Sequence, residues 1–267
     1  MDENCLGAIV MVIAANPNQT RTWANCVRHT ARKFAPTPLP VLAGAIPAGL
    51  RGSLYRNGPA RLERGGQPVA HWFDGDGAIL AVHFANEAAT GLYRYVQTEG
   101  YQQEEKAGRY LFAGYGMVPP GSWLGRFTQA VKNAANTSVI ALPDKLLALW
   151  EGGAPHALDL ETLETLGLDD LSGLRGGNYS AHPKRDPHTG DIFNFGVQPG
   201  KDGRLHIYRS DRMGRIQQQT VIALRGVPVI HDFVLAGNYL VFCIPPVRMN
   251  VFAVLARLKS YSDSLQW

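Results

Sequence analysis

With 267 residues and 45% hydrophobic content, the chain can bury the core of one large domain or two small ones. Its three cysteines, Cys5, Cys26 and Cys243, have neither metal-ligand spacing nor the density of a secreted disulfide scaffold, so a reducing, cytoplasmic compartment is expected. The net charge of +4 is concentrated near the start, without the interleaved aromatics or binding motif of a nucleic-acid protein, and nucleic acid is excluded as a partner.

No acidic residue falls between Asn4 and Leu62, a stretch that holds Arg21, Arg28, Arg32, Lys33, Arg51, Arg56 and Arg61. A solvated arm with structural arginines outweighs contact with anionic lipid headgroups as the reading of this run. Leu6 to Ala15 is apolar but too short to span a bilayer, and Asp2 and Glu3 precede it where a signal peptide is basic. Trp23, Val27, Ala31 and Phe34 fall at helical spacing, which predicts a short amphipathic helix over Thr20 to Phe34. Pro36, Pro38 and Pro40 end it, so residues 1–40 read as an arm and residues 41–267 as the main domain.

That domain is expected to be all-β. Gly52 to Pro59 and His71 to Gly77 read as Gly-rich turn clusters, and Asp186 to Gly190 and Asp202-Gly203 as further turns. Short strands are predicted at Ile79–Phe84, Leu92–Thr98, Ser138–Leu142, Lys145–Trp150 and Ile192–Val197. Others follow at Leu205–Arg209, Thr220–Leu224, Val229–Leu235 and Tyr239–Ile244. Such a series suits a sandwich, a barrel or a propeller. One helical insertion interrupts it. From Ser122 to Ala134 the residues Trp123, Leu124, Phe127, Ala130, Val131 and Ala134 form a stripe behind the uncharged Met117, Val118, Pro119 and Pro120. By pattern alone, a helix packed on the sheet outweighs a membrane-dipping patch.

Two histidines stand in similar settings, His182 in Tyr179-Ser180-Ala181-His182-Pro183 and His231 in Val229-Ile230-His231-Asp232-Phe233. They are 49 residues apart, close to the ~40–50 residue period of a propeller blade, which would bring both imidazoles to one central spot. A lone histidine on a strand is more often structural than a ligand, and imidazole suits Fe, Zn, Cu and Ni alike. Glu151, before Gly152-Gly153, reads on its own as a solvated strand end. His29, His83, His156, His188 and His206 read as surface or packing residues. No nucleophile–His–acid set emerges, and Gly75-Asp76-Gly77 lacks the spacing of a phosphate loop.

The segments Gly52-Ser53-Leu54-Tyr55-Arg56-Asn57-Gly58-Pro59 and His71-Trp72-Phe73-Asp74-Gly75-Asp76-Gly77 resemble the carotenoid cleavage oxygenase family. So do Lys132 to Thr137, Leu149-Trp150-Glu151-Gly152-Gly153, Leu158 to Thr165, Ser180-Ala181-His182-Pro183-Lys184, Ile230-His231-Asp232-Phe233 and Tyr261 to Trp267. The resemblance runs from about Trp23 to Trp267. It implies a seven-bladed β-propeller whose axis holds one Fe(II) on four histidines, and a dioxygenase that cleaves a conjugated double bond of a carotenoid or apocarotenoid to aldehyde or ketone products. His182 and His231 match the first two ligands. Glu151 matches a carboxylate that accepts the outer N–H of a ligand histidine, His231 being the better partner, and so fixes its tautomer and orientation.

The family's other two histidines and other two carboxylates would lie beyond Trp267. Seven blades need about 315 residues, so the expectation is a partial propeller, about half to two-thirds of the ring, with a helical insertion and an N-terminal helical arm. The apolar run Val247, Met249, Val251, Phe252, Val254, Leu255 and Leu258 would lack its partner blades, and the chain as given is expected to be inactive. The alternatives are a non-catalytic truncated remnant and a metal-free propeller-like binding module. A carotenoid resides in lipid, so the resemblance also implies a peripheral membrane contact through an exposed patch of Met117, Val118, Trp123, Leu124 and Phe127.

Overall fold

The computed structural model describes residues 30–118, 131–175, 177–255 and 258–267. They are mostly β, with few helices, and none of those helices is long and apolar enough to cross a membrane. The chain builds three four-stranded antiparallel sheets one after another. The first holds β1 (Phe34–Leu39), β2 (Gly52–Arg61), β3 (Asp76–Ala85) and β4 (Ala88–Tyr95) in the order β1-β4-β3-β2. The second holds β5 (Ser138–Ala141), β6 (Leu146–Leu149), β7 (His156–Leu158) and β8 (Thr165–Leu168), in the order β8-β7-β6-β5. In the third, β9 (Lys184–Arg185), β10 (Ile192–Gln198), β11 (Arg204–Ser210) and β12 (Ile216–Ala223) lie in chain order. A two-stranded hairpin follows, β13 (Phe233–Ala236) with β14 (Tyr239–Phe242).

The sheets stack face to face, and strand composition shows why. In β6, Leu146, Leu147, Ala148 and Leu149 are all buried, so this strand has no solvent face. Leu146 and Ala148 pack with Ile79, Leu92 and Val96 of the first sheet and its edge. Leu147 and Leu149, pointing the other way, pack with Ala181, Ile192 and Tyr208 on the third sheet's side. Phe195 and Leu205 of the third sheet then meet Phe233 on the hairpin. The hairpin's other residues include Val234 and Tyr239, which are exposed, as is Phe252 of the short helix α2 (Val251–Leu255).

Polar stitches set the distance between sheets. The amide of Asn57 donates to the carbonyls of Ala135 (2.9 Å) and Ser138 (2.8 Å), and that of Asn136 donates back to Gly75 (2.7 Å). A Cβ at Gly77 would run into the Ala135 carbonyl, and one at Gly196 into the Asn178 carbonyl, so these close approaches require glycine.

Three elements differ from the sequence reading. Gly52 to Pro59 is not a turn but most of β2, paired from Gly52↔Phe84 to Pro59↔Gly77. Phe34 does not end a helix. It opens β1, an exposed edge strand whose free side tolerates Pro36 and Pro38, and its ring stacks on Tyr93 at 6.1 Å. Residues 20–29 of the expected arm helix lie outside the described residues. So do 122–130 of the expected insertion; of its end, Val131 forms an isolated bridge with Ala113 and no helix covers 131–134.

A helix the pattern did not reveal is α1 (Glu99–Ala107), begun by Thr98, whose hydroxyl accepts from the Tyr101 N–H, and ended by Gly108 at φ 64°. It carries Glu104 into a buried charge cluster. There Lys132 Nζ lies 2.8 Å from Glu104 and 2.9 Å from Asp76, and Arg64 Nη2 lies 3.0 Å from Asp76.

His156, on β7, is buried, and its Nδ1 has no hydrogen-bond partner among the described residues. Burial disfavours the imidazolium and pushes the His156 pKa from 6.5 down to about 4. The unfolded chain therefore binds the extra proton between those values. Stability is at its full level above pH 6.5, falls as pH drops through that window, and levels off below about pH 4, for a total of about 3 kcal/mol. Denaturant titrations at pH 7.5 and pH 5 should show a smaller loss for His156→Leu than for the unmodified protein. Equal losses would mean that His156 is not the acid-sensitive group.

Candidate metal centre

His182 and His231 occupy the same kind of place, each two residues ahead of a strand, before β9 at Lys184 and before β13 at Phe233. The strand expected over Val229–Leu235 thus begins only at Phe233, and His231 belongs to the corner leading into it. The His182 corner is tightly held. Ser180 donates its N–H to Phe195 (2.7 Å), its carbonyl accepts the Asn194 amide (2.7 Å), Ala181 is buried, and the Ala181 carbonyl accepts the Ser138 hydroxyl. Lys184 reaches across to Asp232 at 2.8 Å and so ties the two corners together. Although burial opposes it, Lys184 keeps the Asp232 carboxyl below its usual pKa.

Glu151 approaches from the end of the second sheet, just past Leu149, in a turn fastened by Tyr179 N–H to Gly153 carbonyl (3.2 Å). The structure brings Glu151, His182 and His231 together. Glu151 Oε1 is 3.1 Å from His182 Nε2 and 3.2 Å from His231 Nδ1. The two imidazole centroids are 4.4 Å apart at 68°. One donor atom from each of the three residues falls within 4.8 Å of the others. The Glu151 carboxylate raises the His182 pKa above its ordinary value, against the effect of burial.

Glu151 Oε1 and His182 Nε2 are both shut off from solvent, yet neither has an aligned hydrogen bond among the described residues. At 3.1 Å, two such buried acceptors are costly together unless a proton or a metal ion lies between them. Two imidazoles and a carboxylate suit a divalent first-row transition ion, so these residues fit a metal.

Beside both histidines a cleft of about 710 Å³ opens, bordered by residues 183–188 and by Asp232 to Leu235, Gly237 and Asn238. Its lining mixes Lys184, Arg185 and Asp186 with Phe233 and Leu235, which is not the apolar tunnel a polyene needs.

A second feature went unread in the sequence. Trp72, Phe73, Tyr115 and Tyr261 form a ladder of rings with successive centroids 4.8, 5.2 and 5.4 Å apart. Trp72 and Phe73 are exposed, while burial, then Tyr115 and Glu151, push the Tyr261 phenol up to about 12. The ladder thus runs from the exposed Trp72 inward to Tyr261. Its members lie up to 189 positions apart in the sequence (Trp72 to Tyr261), so no local pattern announces it.

The expected apolar patch needs one correction. Met117 is buried, its sulfur accepting the Ala70 N–H at 3.2 Å, because the chain turns back on itself with Gly114 N–H bonded to the Met117 carbonyl. Val118 is exposed, and Trp123, Leu124 and Phe127 lie outside the described residues.

Comparison with known proteins places these features in context. A family model described as retinal pigment epithelial membrane protein, RPE65, matches residues 27–267. The apocarotenoid-15,15'-oxygenase of Synechocystis is 38% identical over 235 residues, covering 84% of this chain and 48% of that protein. Among solved structures, a variant of the Synechocystis apocarotenoid oxygenase superposes with a TM-score of 0.85 at 34% identity, over 92% of this chain and 53% of that one. The cobalt-substituted form of that oxygenase matches with a TM-score of 0.81 at 35% identity, over 88% and 51%. The chain therefore spans about half the length of the relatives it matches.

Proposed function

The chain belongs to the RPE65 family of carotenoid oxygenases, and from that premise we propose that it supplies part of the metal centre of an Fe(II)-dependent dioxygenase that cleaves a conjugated double bond of a carotenoid or apocarotenoid. The observation that carries this reading is the meeting of Glu151, His182 and His231 around one spot at 3.1 and 3.2 Å. The three stacked sheets and the hairpin are read as part of a seven-bladed ring, with each histidine at a corner facing its axis.

When bound, Fe(II) would supply the activation of dioxygen. His182 and His231 would hold it, and Glu151 would fix the direction of both imidazoles. The ring ladder from Trp72 to Tyr261, its rings tilted or edge-on to one another, offers an aromatic surface along which a conjugated chain can pass from the surface. Holding the polyene against the metal also requires excluding water around it, and the charged cleft beside the histidines does not do that.

Two imidazoles are half of the four-histidine shell that the resemblance implies. These 267 residues by themselves are therefore expected to hold iron weakly and to form no aldehyde from an apocarotenal supplied with Fe(II) and oxygen. Extended by the C-terminal half of the Synechocystis relative, the same residues should cleave it, and His182→Ala should abolish the product. A metal-loaded extended protein that leaves every apocarotenoid intact would overturn the proposed activity. Turnover by the 267-residue form, lost on His182→Ala, would overturn the expectation that these two imidazoles do not suffice.

A further inference from the structure

We infer that the free edge of β12 (Ile216–Ala223) is a docking site for an extended peptide of a partner protein, which adds a strand to the third sheet and carries acidic residues at both of its ends. The inference does not depend on the metal centre.

An open sheet edge is a row of unpaired N–H and C=O groups, and proteins blunt such edges with proline, charge or brevity. Each of the three four-stranded sheets has two edge strands. β5 and β8 are four residues long and β9 is two. β1 contains Pro36 and Pro38, and β2 contains Arg56 and Pro59. β12 has none of these devices. It runs for eight residues without a proline, a glycine or a charge, and its pairing with β11 is unbroken from Gln218 to Ala223. The Ile216 N–H is taken by the Leu171 carbonyl at 2.9 Å. Among the described residues, no backbone group from Gln217 to Ala223 bonds to any segment other than β11.

What such an edge accepts is an extended backbone, and its surroundings choose the charge. Val221 and Ile222 are exposed on opposite faces of the strand and offer apolar contact to the side chains of an added neighbour. The amide of Gln219 donates to the Arg175 carbonyl at 3.2 Å and meets His206 Nδ1 at 2.7 Å, which holds the strand in place. Arginines bracket the edge. Arg212 and Arg215 precede it, Arg225 follows it, and Arg204 lies opposite Ala223, all four exposed. Arg209 is paired with Asp191 at 2.7 Å, whereas none of these four has an ion-pair partner among the described residues. The nearby carboxylates face their own turns. Asp211 accepts the N–H groups of Met213 and Arg215, each at 2.9 Å, and Asp202 accepts that of Gly226 at 3.1 Å. Two copies paired antiparallel across this edge would set Arg215 of one beside Arg225 of the other, like against like. The complementary strand is uncharged in the middle and acidic at its ends.

The probe is a synthetic peptide of about eight alternating threonines and valines with glutamates at both ends, added to the 267-residue chain and followed by amide hydrogen exchange. Saturable binding is expected, with new protection at Gln217 to Ala223. The same peptide ended by lysines should bind about 10-fold more weakly at low salt, and one with a proline at its centre should not bind. The double variant Arg215→Glu, Arg225→Glu, with an unchanged melting temperature, should reverse the order of the glutamate- and lysine-ended peptides. No protection of Gln217 to Ala223 by the glutamate-ended peptide would overturn the docking site. Equal binding of the two peptides would overturn the acidic partner. Protection of the same amides that rises with protein concentration, without peptide, would make the partner a second copy and overturn the inference as well.

Discussion

Asp76→Ala is expected to destabilise the protein by about 3–5 kcal/mol, the usual consequence of leaving buried charges without a counterion. Asp76 is 1% exposed and lies between Arg64 Nη2 at 3.0 Å and Lys132 Nζ at 2.9 Å, both of them buried. Removing it leaves two buried cations facing Glu104, whose Oε1 is already engaged by the N–H groups of Leu111 (2.9 Å) and Phe112 (3.2 Å). Glu105 meets Arg64 only at the rim, where water competes. Because the cluster joins β3, α1 and the stretch before β5, the loss should be felt across the first two sheets. Against a typical total of about 5–15 kcal/mol it is large enough to unfold a marginal domain. Urea denaturation of Asp76→Ala and Asp76→Asn measures it. A loss below about 1 kcal/mol in both would mean that the cations are hydrated and the cluster is not sealed.

Leu149→Ala should cost about 2–5 kcal/mol, the range for a large-to-small change at a site that cannot collapse. Leu149 is fully buried between the second and third sheets, in contact with a cluster that includes Leu147, Tyr179, Ala181, Ile192 and Tyr208. Leu147, Ile192 and Tyr208 belong to strands, and Tyr179 and Ala181 to the hydrogen-bonded corner before β9, so the cavity would persist. The residue also lies two positions before Glu151, and its carbonyl accepts the Thr137 N–H at 3.1 Å. The cavity should therefore loosen the carboxylate as well as the fold. Thermal unfolding and cobalt affinity, measured on the same preparation, should fall together. A stability loss with cobalt affinity unchanged would show that the Glu151 turn is held independently of the core beneath it.

The sequence made the β class and the seeds of the candidate site visible, and each for a physical reason. Strands such as β10 and β11 combine β-branched and aromatic residues with clear turns, so Ile192–Val197 and Leu205–Arg209 were found within a residue of their bounds. His182 and His231 were singled out by blade-like spacing and by resemblance. What no local pattern could give is their meeting with Glu151, since it depends on how two separate corners and a strand end pack. The first sheet was misread at β2 because Gly52, Asn57, Gly58 and Pro59 are turn formers. On a half-exposed strand their small or polar side chains are tolerated, and Asn57 is wanted for its amide. The helix α1 was missed because a charged surface helix with a single buried acidic anchor, Glu104, has little apolar stripe to detect.

Consider finally the strand β6, in which four successive residues are buried, alternately on the two faces. In a sheet with one wet face, sliding a strand by one residue turns its apolar side outward, and oil–water partition alone selects the alignment. A strand that is greasy on both sides has lost that safeguard, for a slipped copy would be nearly as well buried. The addressing must then come from atoms that can be satisfied in only one alignment. In this fold the Asn57 amide and the Gly77 abutment fix the stretch Ala135 to Ser138, and from that stretch the Thr137 N–H reaches the Leu149 carbonyl of β6 at 3.1 Å. The core supplies cohesion that does not discriminate, and a handful of polar atoms at the sheet corners decide which alignment is native.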